Sequence, residues 1–147
     1  MDLTSARGIF DAALWLAGWG HFTLLLAGGQ LPYRLGWKEE LARVRPMTRK
    51  LVWVYWVFIL TTVVGFGVLT LVLHDELLRG DRAALALATF MTLFWVIRLG
   101  ADFLYFDHAD WPSEKWLLLC HVLLTSFFVF LLSTYTSLLL WHAWGTA

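Results

Sequence analysis

Cysteine and charge are both scarce in this chain of 147 residues. Its single cysteine, Cys120, excludes a disulfide scaffold and any metal site built from four thiolates. Only 15% of the residues are charged, and 11 basic side chains balance 11 acidic ones, so no basic surplus is available for binding nucleic acid. Neither a glycine-rich phosphate loop nor the HExxH or GxSxG motif of hydrolases occurs. The sequence therefore offers few of the familiar catalytic chemistries.

Apolar residues, in contrast, are unusually abundant. Hydrophobic residues make up 60% of the chain and aromatic residues 17%, and the mean hydropathy is +0.68. Soluble domains average about 45–50% apolar residues, so this chain carries more apolar surface than a domain of its size can bury. The composition predicts an integral membrane protein.

Four stretches are long and apolar enough to cross a bilayer as helices. They cover residues 9–29, 49–74, 83–106 and 116–144. A strand of a transmembrane barrel would alternate in polarity, whereas the segment LVWVYWVFILTTVV is apolar at odd and even positions alike. Because the connections are short, successive spans should be antiparallel. We therefore predict an all-α fold, an integral membrane four-helix bundle of up-down-up-down topology, with residues 1–147 forming a single transmembrane domain.

Basic residues are concentrated in the loop between the first and second spans. That loop contains Arg34, Lys38, Arg43, Arg45, Arg49 and Lys50. The second loop has only Arg79 and Arg82, and the N-terminal segment only Arg7. Short loops rich in lysine and arginine stay in the cytoplasm. We therefore expect Gly29–Lys50 and Asp107–Lys115 to be cytoplasmic and both termini to lie outside, across the inner membrane if the host is a bacterium.

The first loop also contains a pattern typical of a short amphipathic helix. Trp37, Leu41 and Val44 recur at helical spacing, with charged residues at positions between them. We predict a helix that lies on the cytoplasmic membrane surface with its cations facing anionic lipid. A solvated linker is the alternative interpretation. Pro46 is suited to the first turn of the second span, where its missing N–H is not needed.

Ionisable residues inside the predicted spans concentrate in the cytoplasmic half of the bundle. Asp102 follows Arg98 by four residues, so the two lie on one helical face. If the first, third and fourth spans converge, then His21, Arg98, Asp102 and His121 form one polar pocket that binds a ligand or handles protons. The alternatives are an intrahelical ion pair for Arg98 and Asp102, and hydrogen-bonded packing for the histidines.

A second pair of histidines, His74 and His142, lies at the opposite end of the predicted spans. Two imidazoles at similar depth could ligate a metal ion or the iron of haem b. The histidines do not, however, form two level-matched pairs on facing helices, and histidines at membrane interfaces are common. We therefore expect no haem in the purified protein.

Small residues at four-residue spacing predict close helix contacts at Ala13 and Ala17 and at Ala84 and Ala88. Wherever such a face points at lipid, it would be a candidate docking site. With few catalytic motifs and short loops, the function we expect is that of a non-catalytic subunit, anchor or accessory factor of a larger membrane complex. Its expected partners are the lipid bilayer and other membrane subunits or further copies of the chain. The alternatives are a b-type cytochrome, an enzyme acting on a lipophilic substrate through the Arg98 pocket, or a proton-coupled transporter.

Overall fold

The computed structural model describes residues 3–34, 36–104 and 115–145, and within these ranges the chain forms helices and no strand. The described ranges contain six helices: α1 (Leu3–Arg34), α2 (Trp37–Leu41), α3 (Pro46–Val72), α4 (His74–Arg79), α5 (Arg82–Leu104) and α6 (Lys115–Gly145). The predicted all-helical class is confirmed. Most of the predicted loop at residues 107–115 lies outside the described residues.

Four of these helices are long and apolar enough to cross a membrane. The candidate spans are Ala6–Arg34, Pro46–Val72, Arg82–Leu104 and Leu118–Gly145. Each overlaps one of the four predicted segments, and together they identify a multi-pass membrane protein. Pro46 occupies the first turn of α3, as predicted, with Arg45 as the residue that precedes the helix.

The chain turns sooner after α3 than the sequence predicts. Hydropathy alone extends the second span to His74, but α3 ends at Val72 and His74 begins the separate short helix α4. In α4 the side chains of Leu77 and Leu78 are buried in the core. Gly80 ends α4 in the left-handed conformation, with φ 78°, which glycine adopts without steric cost.

One hydrophobic core receives side chains from all four long helices and from α4. The pairs α1 with α3 and α5 with α6 make the most extensive interhelical contacts. Trp95 of α5 and Tyr135 of α6 are the largest fully buried side chains. Within α3, the described buried residues begin only at Val63. The core therefore lies mainly toward the α4 end of the molecule.

The predicted small-residue surfaces are used inside this core. Ala17, Ala84 and Ala88 are buried, so they allow neighbouring helices of this chain to approach each other. These three alanines therefore do not point at lipid, so the condition under which they would form docking sites is not met; Ala13 is half-buried. Small residues favour any close helix contact, and spacing alone does not distinguish an internal contact from an external one.

Candidate functional site

Three of the four residues predicted to share a polar pocket meet at Asp102. This carboxylate is almost fully buried between α5 and α6. Its Oδ1 atom lies 3.4 Å from Nη1 of Arg98, one turn earlier on α5. From α6, Thr125 donates its hydroxyl to Oδ2 at 3.1 Å, and Nε2 of His121 lies 3.7 Å from the same oxygen. We call these four residues the Asp102 cluster.

The cluster compensates a buried negative charge from two helices. Arg98 supplies the formal positive charge, while Thr125 and His121 supply polar groups from α6. A buried carboxylate without such partners would be strongly destabilising. The guanidinium of Arg98 also lies over the ring of Phe128, with Cζ 4.9 Å from the ring centroid, a favourable cation–π geometry. The cluster thus joins α5 to α6 through polar contacts between two of the candidate spans.

A groove on the outside of the protein opens beside the Asp102 cluster. We call it the α6 groove; it is lined by Phe103, His121, Val122, Thr125, Ser126 and Val129. Its volume is about 370 Å³, and it is open along the protein surface. Two of its lining residues, His121 and Thr125, also contact Asp102. The groove therefore combines apolar walls with a polar end, which suits the head group of a lipophilic molecule.

His21, the fourth predicted pocket residue, lies in a different environment. Its side chain is fully buried among the rings of Phe66, Trp95 and Tyr135, with centroid distances of 5.7 to 6.3 Å. Nδ1 lies 2.6 Å from the carbonyl oxygen of Ala17, so a proton on Nδ1 would be donated to that oxygen. The structure therefore places His21 as a packing residue of the aromatic core, with no hydrogen bond or ion pair to the described members of the Asp102 cluster.

His74 and His142, the candidate metal or haem ligands, both contact oxygen atoms near α4. Nε2 of His74 lies 3.4 Å from the carbonyl oxygen and 3.5 Å from the carboxylate of Asp11. Nε2 of His142 lies 3.0 Å from the carbonyl oxygen of Leu77. As placed, these two rings do not fit bis-histidine haem ligation, because the nitrogen that would bind iron already faces an oxygen. They tie α1 and α6 to α4.

Close packing around α4 agrees with this structural role. A Cβ atom added at Gly80 would lie 2.6 Å from Nδ1 of His142, so only glycine leaves room for the imidazole. Among the described residues, no three His, Cys, Asp or Glu side chains are grouped so that they could hold a metal ion. The contacts of His74 and His142 at this end of the protein join α1 and α6 to α4.

Sequence reasoning missed Thr125 as a member of the site. Its signal is present in hindsight, because Thr125 follows His121 by four residues and so lies on the same face of α6.

Comparison of the chain with known protein families, curated proteins and solved structures finds no match. The site must therefore be interpreted from its own geometry.

Proposed function

We propose that this chain is a non-catalytic subunit or accessory factor of a larger membrane assembly, which it joins through the outer face of α6. The observation that carries the proposal is a row of exposed serines in the middle of an apolar helix. Ser126, Ser133 and Ser137 are all exposed and are spaced seven and four residues apart, which places them on one side of α6. We call this row the α6 serine face.

Small hydroxyl residues on an outer membrane face favour contact with another helix. They let two backbones approach closely, and their hydroxyls can bond across the contact. Ser133 already donates to backbone carbonyls of its own helix. The hydroxyls of Ser126 and Ser137 make no hydrogen bond to another described residue, and an unbonded hydroxyl facing hydrocarbon is unfavourable. A partner helix would remove that cost.

Replacing serines of this face with bulky residues tests the proposal. We expect Ser133→Leu combined with Ser137→Leu to reduce assembly mass in mild detergent to that of the single chain, because leucine prevents close helix approach. The measurement is light scattering coupled to gel filtration. Thr89→Leu is the matched control, since Thr89 is exposed on α5 in another candidate span. An assembly mass that is unchanged by the serine variant would contradict the proposal.

The proposed arrangement in the membrane is an up-down-up-down bundle with both termini outside. It is supported by the six exposed cations between residues 34 and 50, which meet the requirement for a cytoplasmic loop. Helix α2 would then lie on the cytoplasmic surface as the predicted amphipathic helix, and a bacterial host would place the chain in its inner membrane.

Labelling of single cysteines tests this orientation. In a Cys120→Ala background, Glu40→Cys should react with a membrane-impermeant maleimide only after the cells are opened. The control is Asp81→Cys in the loop before α5, which should react in intact cells. Strong labelling at position 40 in intact cells would reverse the proposed orientation.

The Asp102 cluster favours a second candidate function, the binding of a lipophilic molecule in the α6 groove. Such a molecule would place a polar head group beside His121 and Thr125 and an apolar body against Phe103 and Val129. The groove shares Ser126 with the α6 serine face, so purification in mild detergent with identification of the co-eluting material separates the two functions. A subunit carries a co-purifying protein, whereas a small-molecule binder carries a lipophilic compound.

A further inference from the structure

We propose that α3 carries a binding site for an anionic phospholipid. Its head group would contact Arg49 and Lys50, and one acyl chain would lie along a groove in the next three turns. We call this the α3 groove; it is lined by Trp53, Val54, Val57, Phe58 and Thr61. The inference does not depend on the proposed assembly through α6, because it concerns another helix and another kind of partner, but it rests on the proposed cytoplasmic position of the basic loop.

The cations at the start of α3 are available to bind an anion. The side chains of Arg45, Arg49 and Lys50 are exposed and make no hydrogen bond or ion pair with another described residue. The α4 end of the molecule differs. There Arg79 lies 3.2 Å from Glu76 and 3.3 Å from Asp81, and its hydrogen bond with Asp81 raises the pKa of the guanidinium.

The net charge also differs between the two ends of the molecule: it is positive where α3 begins and negative around α4. Residues 34–50 contain six basic and two acidic side chains, a surplus of four positive charges. Residues 75–82 contain two basic and three acidic side chains, a surplus of one negative charge. A surface rich in unpaired cations attracts anionic lipid head groups. Phosphate groups should therefore collect where α3 begins.

The helical register places these cations directly at the mouth of the groove. Residues four apart are neighbours on a helix surface, so Arg49 lies next to Trp53 and Lys50 next to Val54. Val57 and Thr61 continue the same face one and two turns further along the helix. A single face of α3 thus changes from cationic to apolar within one turn. A phospholipid changes in the same order, from a charged head group to an apolar acyl chain.

The groove itself suits an acyl chain. Its volume is about 380 Å³, and four of its five lining side chains are hydrocarbon or aromatic. The hydroxyl of Thr61 donates to the carbonyl oxygen of Val57 at 2.9 Å, so this donor is already used. The ring of Trp53 packs edge-on against Trp37 at 6.0 Å and against Trp56 at 5.6 Å. These contacts hold one wall of the groove in place.

An anionic phospholipid fits this surface better than an acidic protein segment. An acidic peptide would satisfy the cations of the loop but would leave the apolar groove without an occupant. A zwitterionic lipid would fill the groove but would bring no net negative charge to Arg49 and Lys50. An anionic phospholipid satisfies both parts, and the inner leaflet that the basic loop is expected to face is the usual location of such lipids.

Native mass spectrometry in mild detergent tests the site. Phosphatidylglycerol and phosphatidylcholine with identical acyl chains are added in equal amounts to the purified full-length protein. We expect the wild type to retain phosphatidylglycerol preferentially. Arg49→Gln with Lys50→Gln should lower that preference about tenfold or more. Each cation contributes ~1 kcal/mol of attraction to an anionic lipid, and roughly 1.4 kcal/mol corresponds to one power of ten in affinity. The matched control is Arg79→Gln with Arg82→Gln, which should leave the preference unchanged.

Two further variants separate the parts of the site and guard against misfolding. Arg49→Lys with Lys50→Arg keeps both charges and should keep the preference. Val57→Trp should fill the groove and reduce retention of both lipids, because position 57 is exposed and its side chain lines the groove. Equal retention of the two lipids by the wild type would overturn the proposal, and so would an equal loss of preference in the Arg49/Lys50 and Arg79/Arg82 glutamine variants. Retention that Val57→Trp leaves unchanged would overturn the assignment of the acyl chain to this groove.

Discussion

We expect Gly67→Val to cause a large loss of stability, about 3 kcal/mol, because it forces α1 and α3 apart. A Cβ atom at Gly67 would lie 2.9 Å from Cβ of His21 and 3.0 Å from the carbonyl oxygen of Gly18. These neighbouring atoms belong to the α1 backbone or are attached directly to it, so they cannot move aside without moving the helix. The measurement is the free energy of unfolding in detergent, with tryptophan fluorescence as the probe of unfolding.

Gly65→Val is the matched control for this substitution. Gly65 lies on the same helix, and a Cβ atom there would meet nothing within 4 Å. The two variants therefore share the change in helix propensity and differ only in the contact with α1. If Gly67→Val were as stable as Gly65→Val, the close packing of α1 against α3 would be wrong.

The second large effect concerns Arg98 and Asp102, which should behave as a coupled pair. Arg98→Leu leaves the buried carboxylate of Asp102 without its formal positive charge. We expect each single leucine variant to lose about 2 kcal/mol, less than for a fully buried pair because the Arg98 side chain is 35% exposed. The double variant should lose clearly less than the sum, with a coupling free energy of about 1 kcal/mol or more.

The free energies of unfolding of the wild type, both single variants and the double variant complete a double-mutant cycle. Thr125→Val supplies a comparison from the other helix, since it removes one hydrogen bond to Asp102 and leaves the charges intact. Strictly additive losses for Arg98→Leu and Asp102→Leu would show that the two side chains do not stabilise each other.

The four apolar helices could be predicted from the sequence, because the length and hydropathy of a span depend only on consecutive residues. The neighbourhood of Arg98 and Asp102 was also predictable, since four-residue spacing fixes their relation on any helix. The approach of His121 to Asp102 could be predicted only on the condition that their two spans converge. Which face of α6 meets α5 depends on how the helices are rotated, and the residues of one helix do not determine this.

The same dependence on rotation explains the features that sequence reasoning missed. His21 has the polarity expected of a site residue, yet the close approach of Gly18 and Gly67 carries it into an aromatic core. Helix α4 was missed because Leu77 and Leu78 are its only buried hydrophobic residues, too few to produce a periodic pattern. The exposed position of Ser133 becomes visible only once Tyr135 and Leu138 are known to be buried.

Photocrosslinking in native membranes tests the central claim, association through the α6 serine face, most directly. A photoreactive amino acid is introduced at position 137, and in a separate control at position 89 on the outer face of α5. Irradiation should join position 137 to a protein, either another copy of the chain or a different membrane subunit, whereas position 89 should capture lipid. Capture of lipid alone at position 137 would contradict the claim.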